Sequence, residues 1–392
     1  EYALGAGIAA SGADAYLLHV TTTPSVSYVA RTEDFDCGIM ISASHNPFYD
    51  NGIKLINSNG EKLEESIIEK VEEYIDSDSD YIPLATGDKI GCAVDYVIGR
   101  NRYTGYLISL ATRSYKSVRV GLDTANGSAW MIAKNVFDAL GAKTYVINNQ
   151  PNGVNINDNC GSTHIETLVE YIRKNSLDIG FSFDGDADRC IAVDSTGRVV
   201  DGDIIMYIFA KYMKENGTLE KNTVVTTVMS NLGLYKALDR LGIEYVKTDV
   251  GDKYVYECMA KNGYCLGGEQ SGHIILSKYA TTGDGLITAI KIMEAVLESK
   301  STLAELSRDI KIYPQITKNI KVKNKEETVN NKAVKDACND AAAELGKRGR
   351  VLLRKSGTEP LVRIMAEAEN TELCEKCIDK IYNAVLKQGL LK

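Results

Sequence analysis

The sequence has no apolar run that approaches the length of a bilayer crossing, so a helical membrane span is not expected. It has no surplus of positive charge. The net charge of −8 argues against nucleic acid as a partner. It has no low-complexity segment. No signal peptide is legible at the start, where the chain opens on Glu1 without Met. It also lacks the even, closely spaced cysteines of a disulfide scaffold. Its nine cysteines are odd in number and scattered, which suits reduced thiols and a cytoplasmic location. Cys374-Glu-Lys-Cys377 is a C-x-x-C, but Leu373, Cys377, Ile381 and Ala384 fall at helical spacing, so these thiols are expected to face a core. The G-x-x-x-x-G-K-[ST] nucleotide loop is absent, so ATP is not implied.

What remains is an ordinary globular composition, 44% apolar and 25% charged. The length of 392 residues suggests two to four domains. Strand-like runs alternate with helical patterns as far as about Glu298, as in α/β units. Examples are Val118 to Leu122, Lys143 to Ile147, Ile179 to Phe183, Val224 to Val228 and Glu244 to Lys247. Glu1 to Gly12 reads as an amphipathic helix and Ala15 to Val20 as the strand after it. Leu63 to Ile75 places Ile67, Ile68, Val71 and Ile75 on one helical face, ended by the polar linker Ser77-Asp-Ser-Asp80. The last 80 or so residues read as a compact α+β unit: strands at Ile316 to Val322, Val351 to Arg354 and Val362 to Glu367, a helix near Asn330 to Leu345, and a final helix.

Four short segments carry chemistry. Asp184-Gly-Asp-Ala-Asp-Arg189 puts Asp184, Asp186 and Asp188 at alternating positions between two apolar runs, with Arg189 beside them. Like charges this close repel unless a cation or a bend into water relieves them. A hard, oxygen-bound ion such as Mg²⁺, serving phosphate chemistry, is one solution. A solvated acidic turn is another. An EF-hand is excluded, because its sixth and twelfth positions hold Arg189 and Ser195 in place of Gly and Glu. A nucleophilic first aspartate, as in Asp-x-Asp phosphatases, stays open on the triplet alone.

Gly38 to Pro47 reads as a buried strand followed by a polar turn at Ser44-His45-Asn46-Pro47. Ser44 stands where the apolar run ends, a position for an exposed nucleophile that His45 could help place; an ordinary capped turn is the plainer reading. Lys54 follows a second turn signal and could neutralise phosphate or act as a base. Gly267-Gly-Glu-Gln-Ser-Gly-His273 surrounds Glu269, Ser271 and His273 with glycines, which lets backbone approach a ligand while a carboxylate and a hydroxyl grip sugar hydroxyls. A glycine-rich connector would look the same. Arg354-Lys-Ser-Gly-Thr-Glu-Pro360 with Arg363 makes an anion nest from cations, hydroxyls and glycine N–H groups, or a solvated basic turn.

The four segments in this order resemble the phosphoserine, metal, sugar and phosphate loops of the α-D-phosphohexomutase superfamily, over essentially the whole chain. Within it the chain is similar to the bacterial phosphoglucosamine mutases, on Gln270, Val228 to Leu234 and Asn155 to His164. A phosphomannomutase/phosphoglucomutase is the alternative, and a non-catalytic sugar-phosphate binder is disfavoured by the intact Ser44 and aspartates. The resemblance also implies that a stretch of roughly half a domain precedes Glu1 in the family, so an N-terminally truncated chain is expected.

It further implies three related α/β domains and a smaller C-terminal α+β domain around a central cleft, with one loop from each. Their expected extents are 1–97, 98–196, 197–309 and 310–392. Ser44 would carry the phosphoryl group, with Lys54, His45 and His273 as candidate acids and bases. One Mg²⁺ would sit on Asp184, Asp186, Asp188 and phosphorylated Ser44. Glu269 and Ser271 would hold the sugar. Arg354, Ser356, Gly357, Thr358 and Arg363 would hold the non-reacting phosphate, with Lys253 and Arg189 as further cations. A bisphosphorylated sugar would be both intermediate and activator. The expected partner is a small sugar phosphate, with no nucleic acid and no membrane, and the chain a monomer or homodimer.

Overall fold

A computed structural model describes residues 1–78, 82–356 and 361–392. The chain forms two units, one of Glu1–Met229 with Ile243–Arg308, the other of Ser230–Gly242 with Asp309–Lys392.

The first unit holds a five-stranded sheet in the order Lys143–Ile147, Arg119–Asp123, Ile179–Phe183, Cys190–Asp194, Val199–Val200. The first three strands are parallel, and the last two join antiparallel. Parallel neighbours need crossovers. The helices Ile132–Ala139 and Glu166–Asn175 lie in those connections. Every residue of Ile179–Phe183 is buried, as expected of a strand covered on both faces. A side chain at Gly180 would strike Ile172 at 2.6 Å, so close helix packing is what fixes glycine there.

A second sheet runs Glu244–Thr248, Thr223–Thr227, Leu266–Gly268, Ile274–Leu276, again parallel and then antiparallel at its last pair. Two small sheets complete this unit. Ala15–Leu17 pairs parallel with Ala93–Asp95, and Cys37–Ser42 pairs antiparallel with Gly52–Asn57. In the second unit Gln315–Lys321, Leu361–Ala368 and Gly349–Lys355 form an antiparallel sheet. The helices Lys332–Leu345 and Thr371–Lys387 close its core with Val334, Leu345, Cys377 and Ile381. Cys374 and Cys377 are both buried there, as their helical spacing predicts.

One sequence expectation is corrected, and a second element differs from what its pattern suggests. A helix forms at Tyr2–Ala10, but those nine residues carry no charged side chain, so it has no polar face. The helix Glu65–Ile75 forms as predicted, yet buries none of its residues, and Ile75 is 71% exposed. Part of the linker that follows it, 79–80, lies outside the described residues. Among the described residues no helix is long and apolar enough to cross a membrane.

Candidate active site

All four segments singled out in the sequence lie at antiparallel hairpin connections. Ser44 lies between Cys37–Ser42 and Gly52–Asn57, and the aspartates between Ile179–Phe183 and Cys190–Asp194. Glu269 to His273 joins Leu266–Gly268 to Ile274–Leu276, and Ser356 follows Gly349–Lys355 before Leu361–Ala368. A hairpin end carries its residues on a rigid ladder while leaving the turn free for chemistry.

The aspartate loop is not a turn bent into water. Asp184, Asp186 and Asp188 are 0, 1 and 7% exposed. Each offers a carboxylate oxygen within 4.8 Å of the others. Lys54, from the strand Gly52–Asn57, reaches Asp186 Oδ2 at 2.5 Å and Asp188 Oδ2 at 3.0 Å. Thr23 donates its hydroxyl to Asp186 Oδ2 at 2.6 Å. One oxygen of each aspartate (Asp184 Oδ2, Asp186 Oδ1, Asp188 Oδ1) still has no hydrogen-bond partner. Buried carboxylate oxygens are costly to leave unbonded. Three of them in one cluster of carboxylates, all oxygen, fit a hard divalent cation of the Mg²⁺ type.

The electrostatics agree with that fit. Burial, then the charges of Asp188 and Asp186, push Asp184 well above the usual carboxylate range. Burial acts the same way on Asp188, but Lys54, His273 and Arg189 outweigh it and hold that carboxyl low. Burial alone would pull the Lys54 ammonium down; Asp188 and Asp186 outweigh it and push it up. Lys54 is therefore a counter-ion in this arrangement. It can accept a proton only when another cation takes over Asp186 and Asp188.

Ser44 stands beside this cluster. Its backbone is left-handed, φ +52°, a conformation uncommon for serine. Its N–H donates to Ser42 Oγ at 2.7 Å, and its carbonyl accepts from Gly185 N at 3.1 Å. A side chain at Gly185 would meet that carbonyl at 2.4 Å, so the serine loop rests directly on the aspartate loop. His45 Nδ1 lies 3.4 Å from Ser44 Oγ, and burial with the nearby Arg189 charge lowers the imidazole's pKa, favouring its neutral form.

In the sugar segment Gly267 and Gly268 are strand residues, not loop. Their missing side chains make room for Met259 and Val255 at the first position and for His273 O and Ile274 at the second. Close packing, and not ligand approach, explains those two glycines. Glu269 accepts Gly251 N–H on Oε1 at 3.0 Å, and Ser271 is exposed at the tip. Gln270 donates to Asp201, the cap of the helix Gly202–Glu215. His273 is buried with neither ring nitrogen hydrogen-bonded, its Nε2 3.4 Å from Asp252 Oδ2. Asp252 also pairs with Lys62 at 2.7 Å, while Lys253 pairs with Glu65 at 2.7 Å. Lys62, Glu65, Asp252, Lys253 and His273 line a cleft of about 350 Å³.

In the second unit Arg354 and Arg363 are cross-strand partners at the hairpin end. Burial, then the Arg363 charge, lowers Arg354 from its usual value. Ser356 is buried, donates its N–H to Leu361 O at 3.0 Å and accepts Lys325 Nζ on its carbonyl at 2.9 Å. Gly357 and Thr358 lie outside the described residues.

Sequence reasoning missed Thr23, Asp252 and Lys325. Thr23 carried a faint signal: Thr22-Thr-Pro24 opens a helix, with Thr22 accepting Ser25 N–H at 3.1 Å.

The chain matches four family models in order. These are the phosphoglucomutase/phosphomannomutase α/β/α domains I, II and III at residues 1–82, 101–197 and 201–313, and the C-terminal domain at 318–384. It is 64% identical over 389 residues to a phosphoglucosamine mutase of Lachnospira eligens, covering 99% of this chain and 86% of the relative. Its fold is that of a phosphoglucomutase/phosphomannomutase family protein of Burkholderia thailandensis, with a TM-score of 0.79 at 21% identity over 98% of this chain and 85% of the other. An Aspergillus fumigatus N-acetylphosphoglucosamine mutase, solved with GlcNAc-6P and magnesium, aligns with a TM-score of 0.69 at 17% identity over 99% and 93% of the two chains. An identity of this extent, with the four domain models in order, shows that the chain belongs to the phosphoglucosamine mutase family of the α-D-phosphohexomutases.

Proposed function

We propose that this protein interconverts glucosamine 6-phosphate and glucosamine 1-phosphate, supplying amino-sugar precursors, by phosphoryl transfer through Ser44. The observation that carries the reading is the docking of the Ser44 carbonyl on Gly185, in the middle of the aspartate loop. That contact supports reading Ser44 together with the aspartate loop, whose three unbonded carboxylate oxygens suit a cation.

In the forward step the free sugar hydroxyl attacks the phosphorus on phosphorylated Ser44. The bond from phosphorus to Ser44 Oγ breaks as the bond to the sugar oxygen forms, and the hydroxyl proton passes to a base. Ser44 Oγ then takes the other phosphoryl group from the resulting bisphosphate, and the sugar oxygen it leaves regains a proton. Mg²⁺, held by Asp184, Asp186, Asp188 and an oxygen of phosphorylated Ser44, would spread the charge on the transferring group. His45 and Lys54 are the base candidates on the serine side, and His273 on the sugar side. Arg189 is held near Asp184 and Asp188, at 3.9 Å from each, where it shares their charge.

Glu269 keeps one carboxylate oxygen beyond its bond to Gly251, which with the exposed Ser271 hydroxyl suits it to sugar hydroxyls. Arg354, Ser356, Gly357, Thr358 and Arg363 are assigned the non-reacting phosphate, because two facing guanidinium groups suit a dianion. Lys253, turned to Glu65, is assigned only to the rim of the cleft. We assign the domains to 1–97, 98–196, 197–309 and 310–392. Nine free cysteines support a cytoplasmic location.

The test is an assay with Mg²⁺ on glucosamine, glucose and mannose 6-phosphates, with intact-mass detection of one phosphoryl group on Ser44. Glucosamine 6-phosphate is expected to give the highest kcat/KM. A higher value with either other sugar overturns the substrate; a protein that turns over without ever holding phosphate on Ser44 overturns the mechanism.

A further inference from the structure

Ser44 does not keep its left-handed backbone unaided. Asn157, from the segment between the strands Lys143–Ile147 and Ile179–Phe183, sends its side-chain amide under the serine turn. Nδ2 donates to Ser44 O at 2.9 Å and to Asn46 O at 2.7 Å. An amide nitrogen has two hydrogens, and here they meet the two carbonyls that flank His45. Asn157 is itself fixed. It is 6% exposed, left-handed at φ +57°, and its N–H donates to Ala125 O at 2.9 Å.

We infer that Asn157 is a positioning residue that holds the Ser44 turn in the orientation in which its hydroxyl can exchange a phosphoryl group. The inference rests on the reading of Ser44 as the phosphoryl carrier. The Asn157 amide and Gly185 N–H share the Ser44 carbonyl, so the turn is pinned from two sides at one atom. The chemistry of the contact demands a donor. Aspartate, of the same size, would set an anionic oxygen against two carbonyls. Glycine would leave both carbonyls short of a partner. Neither replacement touches the oxygens of Asp184, Asp186 or Asp188, and both residues accept a left-handed backbone.

The experiment uses Asn157→Gly and Asn157→Asp. Dephosphorylated protein is mixed with Mg²⁺ and a hexose 1,6-bisphosphate, and phosphoryl gain on Ser44 is followed by intact mass. Calorimetry gives Mg²⁺ affinity, and steady-state assays give KM and kcat. The expected result is phosphorylation about ten- to a hundredfold slower, the scale of a reacting atom displaced by about 1 Å. Asn157→Asp should be the slower of the two, with KM and Mg²⁺ affinity within about twofold of wild type.

Wild-type rates in either variant overturn the inference. So does a parallel loss of Mg²⁺ affinity and rate, or failure of both variants to fold, because the role would then be structural. If Asn157→Gly alone does not fold, Asn157→Asp decides. A wild-type protein that never gains phosphate on Ser44 sinks the reading of Ser44 itself, whereas a phosphorylated wild type with equally fast variants sinks only the role of Asn157.

Discussion

The aspartate loop of the first unit and the arginine pair of the second both hold like charges side by side, and they do it differently. Asp184, Asp186 and Asp188 are fully enclosed, and the protein meets part of their charge with its own cations, Lys54 and Arg189. Arg354 and Arg363 are neighbours across a two-strand ladder, partly exposed, and burial first, then the Arg363 charge, lowers Arg354. Like charges directly opposite on a sheet are unfavourable. The first cluster is thus a site already half-neutralised, where a bound cation competes with Lys54. The second keeps two cations together, where an arriving phosphate dianion relieves their mutual repulsion. In both, the ligand gains from repulsion that the empty fold sustains.

The sharpest break in the comparison is to remove the group that only the first cluster serves. Ser44→Ala should lower kcat by about a thousandfold or more, since loss of a covalent nucleophile is not replaced by a neighbour. Ser42 is the nearest hydroxyl, and it is buried and already accepts the Ser44 N–H. Activity within about tenfold of wild type would remove Ser44 from the mechanism. Mg²⁺ affinity should stay close to normal in the unphosphorylated state, because the three aspartates are untouched.

Next in size is Asp184→Asn. Burial and two like charges push Asp184 up, so an uncharged amide suits the metal-free fold better than the carboxylate does. Its Oδ1 accepts Arg189 N–H at 3.1 Å, a bond that asparagine can keep. Mg²⁺ affinity should fall about ten- to a hundredfold, while the melting temperature without Mg²⁺ at pH 7.5 should rise. Calorimetry and a thermal melt check the two halves. If both quantities fall, Asp184 is a structural acid and the repulsion argument fails.

Much of this was legible in the chain. Ile179 to Phe183 and Lys143 to Ile147 are strands at the predicted residues, because short runs rich in aromatic and β-branched residues have few other solutions. The aspartates announced themselves through charge density alone. What sequence periodicity could not give was pairing. That the turns at Ser44, Asp184–Arg189 and Glu269–His273 are hairpin ends depends on which strand each run meets, a tertiary fact. For the same reason Gly267 and Gly268 were misread. Their glycine character answers to Met259, Val255 and Ile274 packed over them, and those contacts have no local signature. Thr23 and Asn157 reach Asp186 and Ser44 from more than a hundred residues away. The helix Glu65–Ile75 shows the converse: an apolar stripe predicted its existence correctly, yet the stripe alone does not tell that none of its residues is buried.

On the arginine side, Arg363→Ala should raise KM about ten- to a hundredfold for the 6-phosphate and the 1-phosphate substrates alike. A charge-assisted contact of about 1.5–3 kcal/mol sets that scale. A mutase that binds its intermediate in two orientations uses one clamp for whichever phosphate is not reacting. Mg²⁺ affinity should not change, which separates the two clusters cleanly. A rise in KM for one direction only would mean that the two orientations do not share Arg363, and the reorientation step would have to be redrawn.

The smallest expected effect concerns a buried carboxylate near the aspartate loop that has no ligand role. Asp284 caps the helix Gly285–Ser299 through Ile287 N–H at 2.9 Å and accepts the Tyr103 hydroxyl at 2.8 Å. Gly285 N–H bonds Ala187 O in the aspartate loop at 3.0 Å. Burial pushes Asp284 up to about 6, against the helix N–H groups and Tyr103, which favour its charge. Unfolded, it titrates near 3.9. The native state therefore holds this proton more tightly than the unfolded chain does. Its contribution to stability is present below pH ~4, declines as pH rises, and is gone above pH ~6. A shift of about two units corresponds to roughly 3 kcal/mol. Asp284→Asn keeps an oxygen for the cap and cannot ionise. It should melt a few degrees higher than wild type at pH 8 and no higher at pH 4, with Mg²⁺ affinity within about twofold. Melts across that pH range check the sign. A lower melting point at pH 8 would mean that the charge at the start of the helix outweighs its burial. A large loss of Mg²⁺ affinity would mean that Asp284 belongs with the ligand carboxylates, and the distinction between bonded and unbonded acids around this loop would fail.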